Sequence, residues 1–530
     1  MKKITLLLII TIVVYYLPLI HGIAQNAEAT IELKMKAPTA IYSAIDSSGN
    51  YVFIFQSSSQ LQYSFFNASH QANGNIVITR PVDSKKDDII GTQLDGDLCI
   101  QYLHNNKKAT VSAIILNKTN GQNALVHLGQ FSFADKYLKS FLLDGIFYIL
   151  TVPQNQNQID VWTINENKLE KESYPIEMQD LYGRLSAKNN TLNDETNSSV
   201  GIDKINYDLE NNVKSAQSSK KIYAYQNKIF LTFDDAENTH FIQIDLANKT
   251  AQYRQLQFSL DKSLNSYKKQ GNSFLYKDVL FRATINPDQL NVSIIRLDSL
   301  LLLANYNAYP HTKITFKNGP ILQEGNNDKQ KIIDDNAIYF KRVLASNVSI
   351  AATKKDSLFV LEIGGYEKIT NNGGNGPGGL GGPSISMGMG MGGMGGMGVM
   401  GMGMGGMGMG MGGMGMGMGG MGMGGMGMGG MGYGMGMPGY YGGYPGYYPY
   451  NSNYTSIRTV YFHSLINSST YEHEAGIVPI SLRERVSNFE NTVFRDKVPE
   501  LIQIVDLQTE IIIGFVIPNR SAFKTYSFGK

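Results

Sequence analysis

Several residue types on which structural and catalytic sites depend are scarce in this chain. Its 530 residues include one cysteine, Cys99, and one tryptophan, Trp162. A single cysteine excludes an intramolecular disulfide framework and any zinc site built from cysteines. Cys99 lies in the middle of a strand-like stretch, so we expect a small buried side chain there. The single tryptophan excludes repeat families that carry one in every repeat.

An excess of charge of either sign is also absent. The chain has 46 lysine and arginine residues against 44 aspartate and glutamate residues, which gives a net charge of +2. A nucleic-acid-binding face needs a basic patch or stripe, and no Lys/Arg-rich block occurs in the sequence. We therefore expect no nucleic-acid partner.

The common catalytic motifs are missing as well. The sequence has no H-E-x-x-H, no G-x-S-x-G, no P-loop and no G-x-G-x-x-G at a strand–helix junction. Tyr471–Glu474 gathers polar ligands, but adjacent residues on a strand point to opposite faces, so we expect a solvated loop and no metal site. Other acidic groups are predicted to lie in turns, namely Asp95-Gly96-Asp97, Asp234-Asp235 and Asp334-Asp335. The sequence assigns no catalytic, cofactor-binding or metal-ligating residue and leaves open whether the protein is an enzyme.

A long apolar run occurs at the N-terminus only. Lys2 and Lys3 precede an apolar run over Ile4–Ile20, and Gly22-Ile23-Ala24 places small residues before a cleavage site. Residues 1–24 are predicted to be a signal peptide that exports the chain to the periplasm, the cell surface or the medium. An uncleaved anchor is the alternative, since about 17 apolar residues is the short limit for spanning a bilayer. No membrane span is expected after this segment.

The sequence contains many short strand pairs. Asp144-Gly145, an apolar run, a polar turn and the alternating stretch Ile159–Ile164 together indicate a hairpin. Variants of this hairpin recur at the length of one propeller blade. Four-strand groups are predicted over residues 40–80, 89–131, 137–176, 221–258 and 274–305, a sixth group begins near Val348, and a three-stranded group begins near Leu501.

These groups predict an all-β fold, a β-propeller of about seven four-stranded blades. The last group lacks a strand, and Ala29–Lys36 alternates like an edge strand at the other end of the chain. We expect this N-terminal strand to close the last blade, because pairing the two termini removes an exposed sheet edge.

Three segments interrupt the strand pattern. Residues 183–219 and 306–337 are predicted to be polar excursions between blades. Between Lys368 and Arg458 no residue is charged, and 387–437 contains all of the 24 methionines except Met1, Met35 and Met178. Glycine at this density is costly to order.

The glycine- and methionine-rich stretch is therefore predicted to be a disordered insertion over 371–456. Strand pattern stops at Leu358–Ile363 and returns at Thr459–Leu465, which places the insertion between two paired strands of a late blade. The predicted order is thus a signal peptide over 1–24, propeller over 25–370, insertion over 371–456 and the end of the propeller over 457–530.

Function is predicted from the fold, since no motif supplies it. Propellers bind ligands at the ends of the central channel, and the sequence favours a binding or scaffold module for an unknown protein or glycan. The alternative is a propeller-type carbohydrate-active enzyme, which needs two carboxylates facing a cleft. Clustered carboxylates would favour the enzyme, and a channel lined by apolar and amide groups would favour the binding module.

Two further alternatives rest on the insertion. The tyrosine-rich tail at 440–450 is typical of a surface adhesion or matrix protein. Closely spaced thioethers such as those of Met402 and Met404 are soft ligands that bind Cu(I) weakly. A flexible spacer explains the same composition, and no resident cofactor is expected.

Overall fold

A computed structural model describes residues 29–35, 38–186, 202–207, 209–258, 268–325, 330–370, 455–494, 501–507, 510–517 and 522–529. All of these residues belong to one compact unit. The predicted signal peptide lies outside the described residues, as do residues 371–454 of the predicted insertion.

The described strands form seven sheets, five with four strands and two with five. The first described strand is β1 (Ala29–Glu32). Blade 1 contains β2 to β5, at Ala40–Ile45, Tyr51–Gln56, Gln60–Phe66 and Ala72–Thr79. Blade 2 contains β6 to β9, at Asp88–Asp95, Leu98–Asn105, Thr110–Asn117 and Asn123–Gln130. Blade 3 contains β10 to β13, at Lys136–Leu143, Ile146–Val152, Gln158–Asn165 and Lys168–Pro175.

The second half of the chain repeats this plan with additions. Blade 4 contains β14 to β18, at Asp203–Lys204, Lys220–Tyr225, Lys228–Asp234, Asn238–Asp245 and Thr250–Gln257. Blade 5 contains β19 to β22, at Gln270–Tyr276, Val279–Ile285, Leu290–Arg296 and Leu301–Ala308. Blade 6 contains β23 to β27, at Asn318–Glu324, Lys331–Ile333, Asn347–Lys355, Leu358–Thr370 and Thr455–Asn467. Blade 7 contains β28 to β30, at Leu501–Asp506, Glu510–Val516 and Ala522–Gly529, together with β1.

The predicted all-β propeller is confirmed, as is its closure by an N-terminal strand. Strand β1 pairs antiparallel with β30, with Ala29 opposite Thr525 and Ile31 opposite Phe523. Ile31 is buried together with Phe523 in the apolar layer that blade 7 shares with blade 1. The N-terminal strand therefore covers the outer edge of β30, which would otherwise carry unpaired backbone groups.

Hydroxyl groups link the first strands of neighbouring blades on the inner side of the ring. The Ser43 hydroxyl in blade 1 donates to the Ile504 carbonyl in blade 7, at 3.2 Å. The Thr92 hydroxyl in blade 2 donates to the Ser43 carbonyl at 2.6 Å. The Ser140 hydroxyl in blade 3 donates to the Ile90 carbonyl in blade 2. In each of these three blades a side-chain hydroxyl thus satisfies a carbonyl of the blade before it.

Blade 6 corrects the prediction that residues 306–337 form an irregular excursion. Strand β23 lies in this stretch and pairs with β27, where Leu322 is opposite Tyr461. The next strand, β24, pairs with β23 in turn. Local pattern could not reveal these strands, because the partner of β23 follows in the chain only after the long insertion.

The position of the insertion agrees with the prediction. Strands β26 and β27 pair along their whole length, from Leu358 opposite Asn467 to Thr370 opposite Thr455. Residues 371–454 therefore connect two adjacent strands of one blade.

Three α-helices among the described residues were not predicted. They are α1 (Leu181–Ser186), α2 (Asn336–Ala345) and α3 (Leu482–Val493). Asp335 caps α2 by accepting a hydrogen bond from the Ala337 amide, and Ser481 caps α3 by accepting one from the Glu484 amide. Among the residues that the structure describes, no helix has both the length and the apolar character to span a bilayer.

Candidate functional site

The predicted excursion over 183–219 contains a segment that lies along the inner side of blades 3 to 6. We name residues 202–207 and 209–218 the channel segment. Its strand β14 pairs in parallel with β15, the first strand of blade 4. Farther along, the Val213 carbonyl accepts a hydrogen bond from the Ser349 hydroxyl at 2.7 Å, and the Ser218 carbonyl accepts one from Asn272 Nδ2 at 3.1 Å.

The channel segment is a packed element despite its polar composition. Its apolar side chains are buried, at Ile202, Ile205, Leu209, Val213 and Ala216. The sequence predicts a polar excursion between blades here, and this packing was not foreseen, because the surrounding blades supply the apolar surface that the segment lacks. Residues 187–201 lie outside the described residues.

A small cleft lies where the channel segment meets blade 6 and the start of α3. We name it the Glu–His cleft; its volume is about 30 Å³, which is room for one or two water molecules. It is lined by Glu210 and Asn211 of the channel segment, by Thr353, Lys355, Val360, Glu362 and His463 of blade 6, and by Val478, Pro479 and Ser481 before α3.

Two strands place an acid and a base face to face in this cleft. Glu362 on β26 is opposite His463 on β27 in the sheet register, and His463 Nε2 lies 3.4 Å from Glu362 Oε1. The second carboxylate oxygen of Glu362 accepts a hydrogen bond from the Val213 amide at 3.1 Å. The blade thus holds the pair from two sides, and the channel segment fixes the carboxylate.

Opposing effects act on the imidazole of this pair. Burial by itself would lower the pKa of His463, whereas the hydrogen bond and the charge of Glu362, with the charges of Glu324 and Glu484, raise it above its usual value. The charges prevail over burial. The His463 imidazole is therefore more readily protonated than an ordinary histidine and is suited to donate a proton near neutral pH.

Glu210 is the second carboxylate of the cleft, and several donors surround it. Lys355 Nζ lies 2.7 Å from Glu210 Oε1. The Leu482 amide, at the N-terminus of α3, donates to Glu210 Oε2 at 2.5 Å. A positive side chain and a helix N-terminus both favour negative charge. These contacts fix the position of the Glu210 carboxylate in the cleft.

A third glutamate supports the cleft from β23. Glu324 is nearly buried; its Oε1 accepts a hydrogen bond from the Tyr461 hydroxyl at 2.6 Å, and its Oε2 lies 2.8 Å from Arg483 Nη2. Burial would raise the pKa of Glu324, but the charge of Arg483 and the hydrogen bonds of Tyr461, Gln330 and Arg483 lower it. Arg483 follows the first residue of α3, so this ion pair ties the helix to blade 6.

The sequence carried one signal for this cleft that motif searches miss. Each of the two predicted strands around the insertion has a single acidic or basic residue within an apolar run, Glu362 in one and His463 in the other. Only the pairing register shows that they are opposite each other. Glu210 could not be found this way, since its segment gives no strand pattern.

Asp234 corrects the prediction that the pair Asp234-Asp235 forms a simple turn. Its carboxylate is fully buried between blades 4 and 5, 2.9 Å from Arg282 Nη1 and 3.6 Å from Lys221 Nζ. The same carboxylate accepts hydrogen bonds from the Ser273 amide and from the Ser273 and Thr239 hydroxyls. Asp235 does lie in a turn, where it accepts hydrogen bonds from the Glu237 and Asn238 amides.

The other residues considered from sequence have structural roles. Cys99 is buried as predicted, and burial raises the pKa of its thiol. Asp95-Gly96-Asp97 joins β6 to β7, with Gly96 at a φ of 53° that favours glycine. Tyr471–Glu474 is less solvated than predicted, because Tyr471 is buried and His473 contacts Asn318. Asp335 caps α2.

No group of three or more His, Cys, Asp or Glu side chains that could hold a metal ion occurs within the described ranges. The copper and adhesion alternatives rest on residues of the insertion that lie outside those ranges.

No protein-family model matches this chain, and no curated protein matches it. Similar solved structures include a variant of the Synechocystis apocarotenoid oxygenase, with 10% identity and a TM-score of 0.28, covering 51% of this chain and 62% of that chain. The cobalt-substituted oxygenase has 10% identity and a TM-score of 0.28, covering 52% of this chain and 63% of that chain. Dihydro-heme d1 dehydrogenase NirN has 8% identity and a TM-score of 0.26, covering 51% of this chain and 47% of that chain. The match spans less than two thirds of those chains, and similarity this low assigns no reaction, cofactor or residue here.

The prediction of a binding or scaffold module is corrected. The chain itself meets the condition set for the enzyme alternative, because Glu210, Glu362 and Glu324 cluster around His463 at one cleft. No sequence motif indicates this cluster, because its members come from the channel segment and from three different strands.

Proposed function

We propose that this chain is an exported carbohydrate-active enzyme that cleaves glycosidic bonds at the Glu–His cleft. The observation that carries the proposal is that two carboxylates, Glu210 and Glu362, line one cleft together with a histidine whose pKa is raised. Glycoside hydrolysis requires two acidic groups beside the scissile bond and one proton donor among the groups present.

The three side chains suit three different tasks. His463, protonated through its contact with Glu362, would donate a proton to the leaving oxygen of the glycosidic bond. Glu362 lies against this imidazole and would keep it protonated and oriented. Glu210, the second carboxylate of the cleft, would take the proton of the attacking water, which the volume of the cleft accommodates.

The glycan would bind across the mouth of the cleft, because a cleft of about 30 Å³ cannot enclose a sugar ring. Residues before α3 form part of the rim, and Ile477 and Ile480 there are exposed by 95% and 59%. Exposed apolar side chains beside buried carboxylates fit the two surfaces of a sugar, its C–H faces and its hydroxyl groups.

Export belongs to the same proposal. The charged and apolar segments of residues 1–24 have the order of a signal peptide. Export would place such an enzyme on the side of the membrane where extracellular polysaccharides are found.

The test incubates the protein with a panel of neutral and acidic polysaccharides and measures the reducing ends that hydrolysis releases. We expect activity in the wild type and a loss of at least about 100-fold in Glu362→Gln, which removes the partner of the proton donor, and in Glu210→Gln, which removes the general base.

Glu367→Gln is the matched control, because Glu367 lies on the same strand and pairs with Arg458 outside the cleft. Its activity should equal that of the wild type. Equal activity of Glu362→Gln and Glu367→Gln on every active substrate would contradict the assignment, and inactivity of the folded wild type on the whole panel would contradict the substrate class.

A further inference from the structure

The tripeptide Asn-x-Ser/Thr, the acceptor sequence of N-linked glycosylation, is frequent in this chain. Six of these motifs lie wholly within the described residues, and their asparagines are Asn67, Asn117, Asn248, Asn291, Asn347 and Asn467. The sequence alone does not distinguish them. The structure does, through what the asparagine amide and the serine or threonine hydroxyl already bind.

Four of the motifs lie in turns at corresponding places of different blades. These turns follow β4, β8, β17 and β27, and their asparagines are Asn67, Asn117, Asn248 and Asn467. In blade 2 the Lys118 amide of such a turn donates to the Asp97 carbonyl, in the turn between the first two strands of the blade. In blade 6 the Ser468 amide donates to the Ser357 carbonyl in the same way. The motifs thus recur in loops on the rim of the ring.

The hydroxyl of each of these four motifs is unused by the fold. The residues are Ser69, Thr119, Thr250 and Ser469; all four are exposed, and their hydroxyls make no hydrogen bond with the described residues. The turn needs only the backbone amide of this residue, as where the Thr119 amide donates to the Asn117 carboxamide oxygen at 2.9 Å. Turn formation therefore explains the asparagine. It does not explain the hydroxyl, which an acceptor sequence requires.

The carboxamide nitrogens that would receive the sugar differ in availability. Asn117 Nδ2 has no hydrogen-bond partner among the described residues. Asn248 is exposed, and its Nδ2 makes only an exposed contact to Asp245, at 3.1 Å. Asn467 Nδ2, in contrast, donates to the Glu474 carboxylate at 2.5 Å in a partly buried contact. Asn117 and Asn248 are therefore the acceptors that the fold leaves most accessible.

The two motifs within strands have both of their groups engaged. Asn291 Nδ2 on β21 donates to the Asn305 and Asn307 oxygens at 2.7 and 2.8 Å, and the Ser293 hydroxyl donates to Asn291 Oδ1. In the motif of Asn347, the fully buried Ser349 donates its hydroxyl to a carbonyl of the channel segment at 2.7 Å. A glycan at either asparagine would disrupt this packing.

We propose that Asn117 and Asn248 carry N-linked glycans when the chain is exported, an inference that rests on the export included in the proposed function. The donor would be an oligosaccharide activated as a diphosphate ester, and a transferase of the export pathway would catalyse the step. Asparagine Nδ2 forms a bond to the anomeric carbon and loses one proton. The bond from that carbon to the diphosphate oxygen breaks, and the diphosphate leaves with the electron pair, so no group is oxidised or reduced.

The test is production of the full chain in a eukaryotic secretory host. Peptide N-glycosidase in heavy-oxygen water then converts each glycosylated asparagine to a labelled aspartate, which mass spectrometry locates. Asn117 and Asn248 should be labelled in most of the secreted molecules, and Asn291 and Asn347 should stay unlabelled. Thr119→Ala should abolish the label at Asn117 although the turn amide remains, whereas Thr119→Ser should retain it.

A second chain, in which a signal peptide of the host replaces residues 1–24, separates the acceptors from export. Labelling of Asn117 and Asn248 in this chain alone would support the acceptors and contradict export by the native segment. Secreted protein in which these two asparagines are unlabelled, or labelled no more often than Asn291 and Asn347, would overturn the proposal. The readout does not depend on the proposed hydrolase activity, since no substrate glycan takes part.

Discussion

Replacing Asp234 by asparagine tests how the ring holds blades 4 and 5 together. Asp234 is a fully buried carboxylate between Arg282 of blade 5 and Lys221 of blade 4. The substitution keeps the shape of the side chain and removes its charge. Arg282 keeps its bonds to the Asp235 carbonyl and the Thr239 hydroxyl but loses the carboxylate that it contacts, and the charge of the half-exposed Asp235 side chain offsets it only in part.

The cost follows from the burial of both partners. Removing one member of a buried ion pair costs about 3–5 kcal/mol, because the remaining charge has neither water nor a counter-ion. Lys221 loses part of this cost by releasing its proton, since burial already lowers its pKa to about 8. Asparagine can still accept hydrogen bonds from Ser273. We therefore expect a loss of about 3 kcal/mol in the free energy of unfolding.

Urea denaturation followed by circular dichroism measures this loss, with Asp235→Asn as the matched control. The Asp235 side chain is 50% exposed, and asparagine preserves its turn acceptor, so the control should lose less than about 1 kcal/mol. A loss in Asp234→Asn no larger than that of the control would refute the view that this buried cluster joins the two blades.

Three other predictions concern the ends of the chain, the insertion and acid stability. Deleting residues 25–37 should lower the melting temperature measured by calorimetry, because it exposes the β30 edge that β1 covers. Replacing residues 371–454 by an Asn-Gly turn should leave the circular dichroism spectrum and the melting temperature within a few degrees of the wild type, because Thr370 and Thr455 are already opposite each other; a chain that fails to fold would disprove this. Burial lowers the pKa of His104 from 6.5 to about 4, so its folded state resists protonation and stability should fall by ~3 kcal/mol as the pH drops from 6.5 to 4. In acid denaturation, His104→Gln should lose less stability than the wild type over this pH range. A profile equal to that of the wild type would contradict this role of His104.

The regular part of the fold was predictable from sequence because its strands are local. In blade 1, turns of a few residues separate apolar runs such as Tyr51–Gln56, and the four observed strands, from Ala40 to Thr79, match the group predicted over residues 40–80. The closing pair of β1 with β30 was also predictable, since one blade was short of a strand. Alternation and turn chemistry suffice wherever consecutive strands pair with each other.

Elements whose partners lie far away in the sequence could not be predicted. Strand β23 pairs with β27, and its residues look like a loop because the partner lies beyond the insertion. Val213 belongs to a polar segment, yet blade 6 buries it. The Glu–His cleft could not be predicted for the same reason, because Glu362 and His463 are brought opposite each other by the pairing of two strands that lie far apart in the sequence.

The titration of His463 is the most direct measurement of the proposed acid–base cleft. Labelled histidine resonances, assigned with His463→Gln, give the pKa in the wild type and in Glu362→Gln. We expect a pKa above 6.5 in the wild type and a lower value in the variant, where burial acts with less opposition. Because the folded value is the higher one, the contribution of His463 to stability should be present below pH 6.5 and lost as the pH rises through its folded pKa. A wild-type pKa at or below 6.5, unchanged in Glu362→Gln, would contradict the assignment of this cleft.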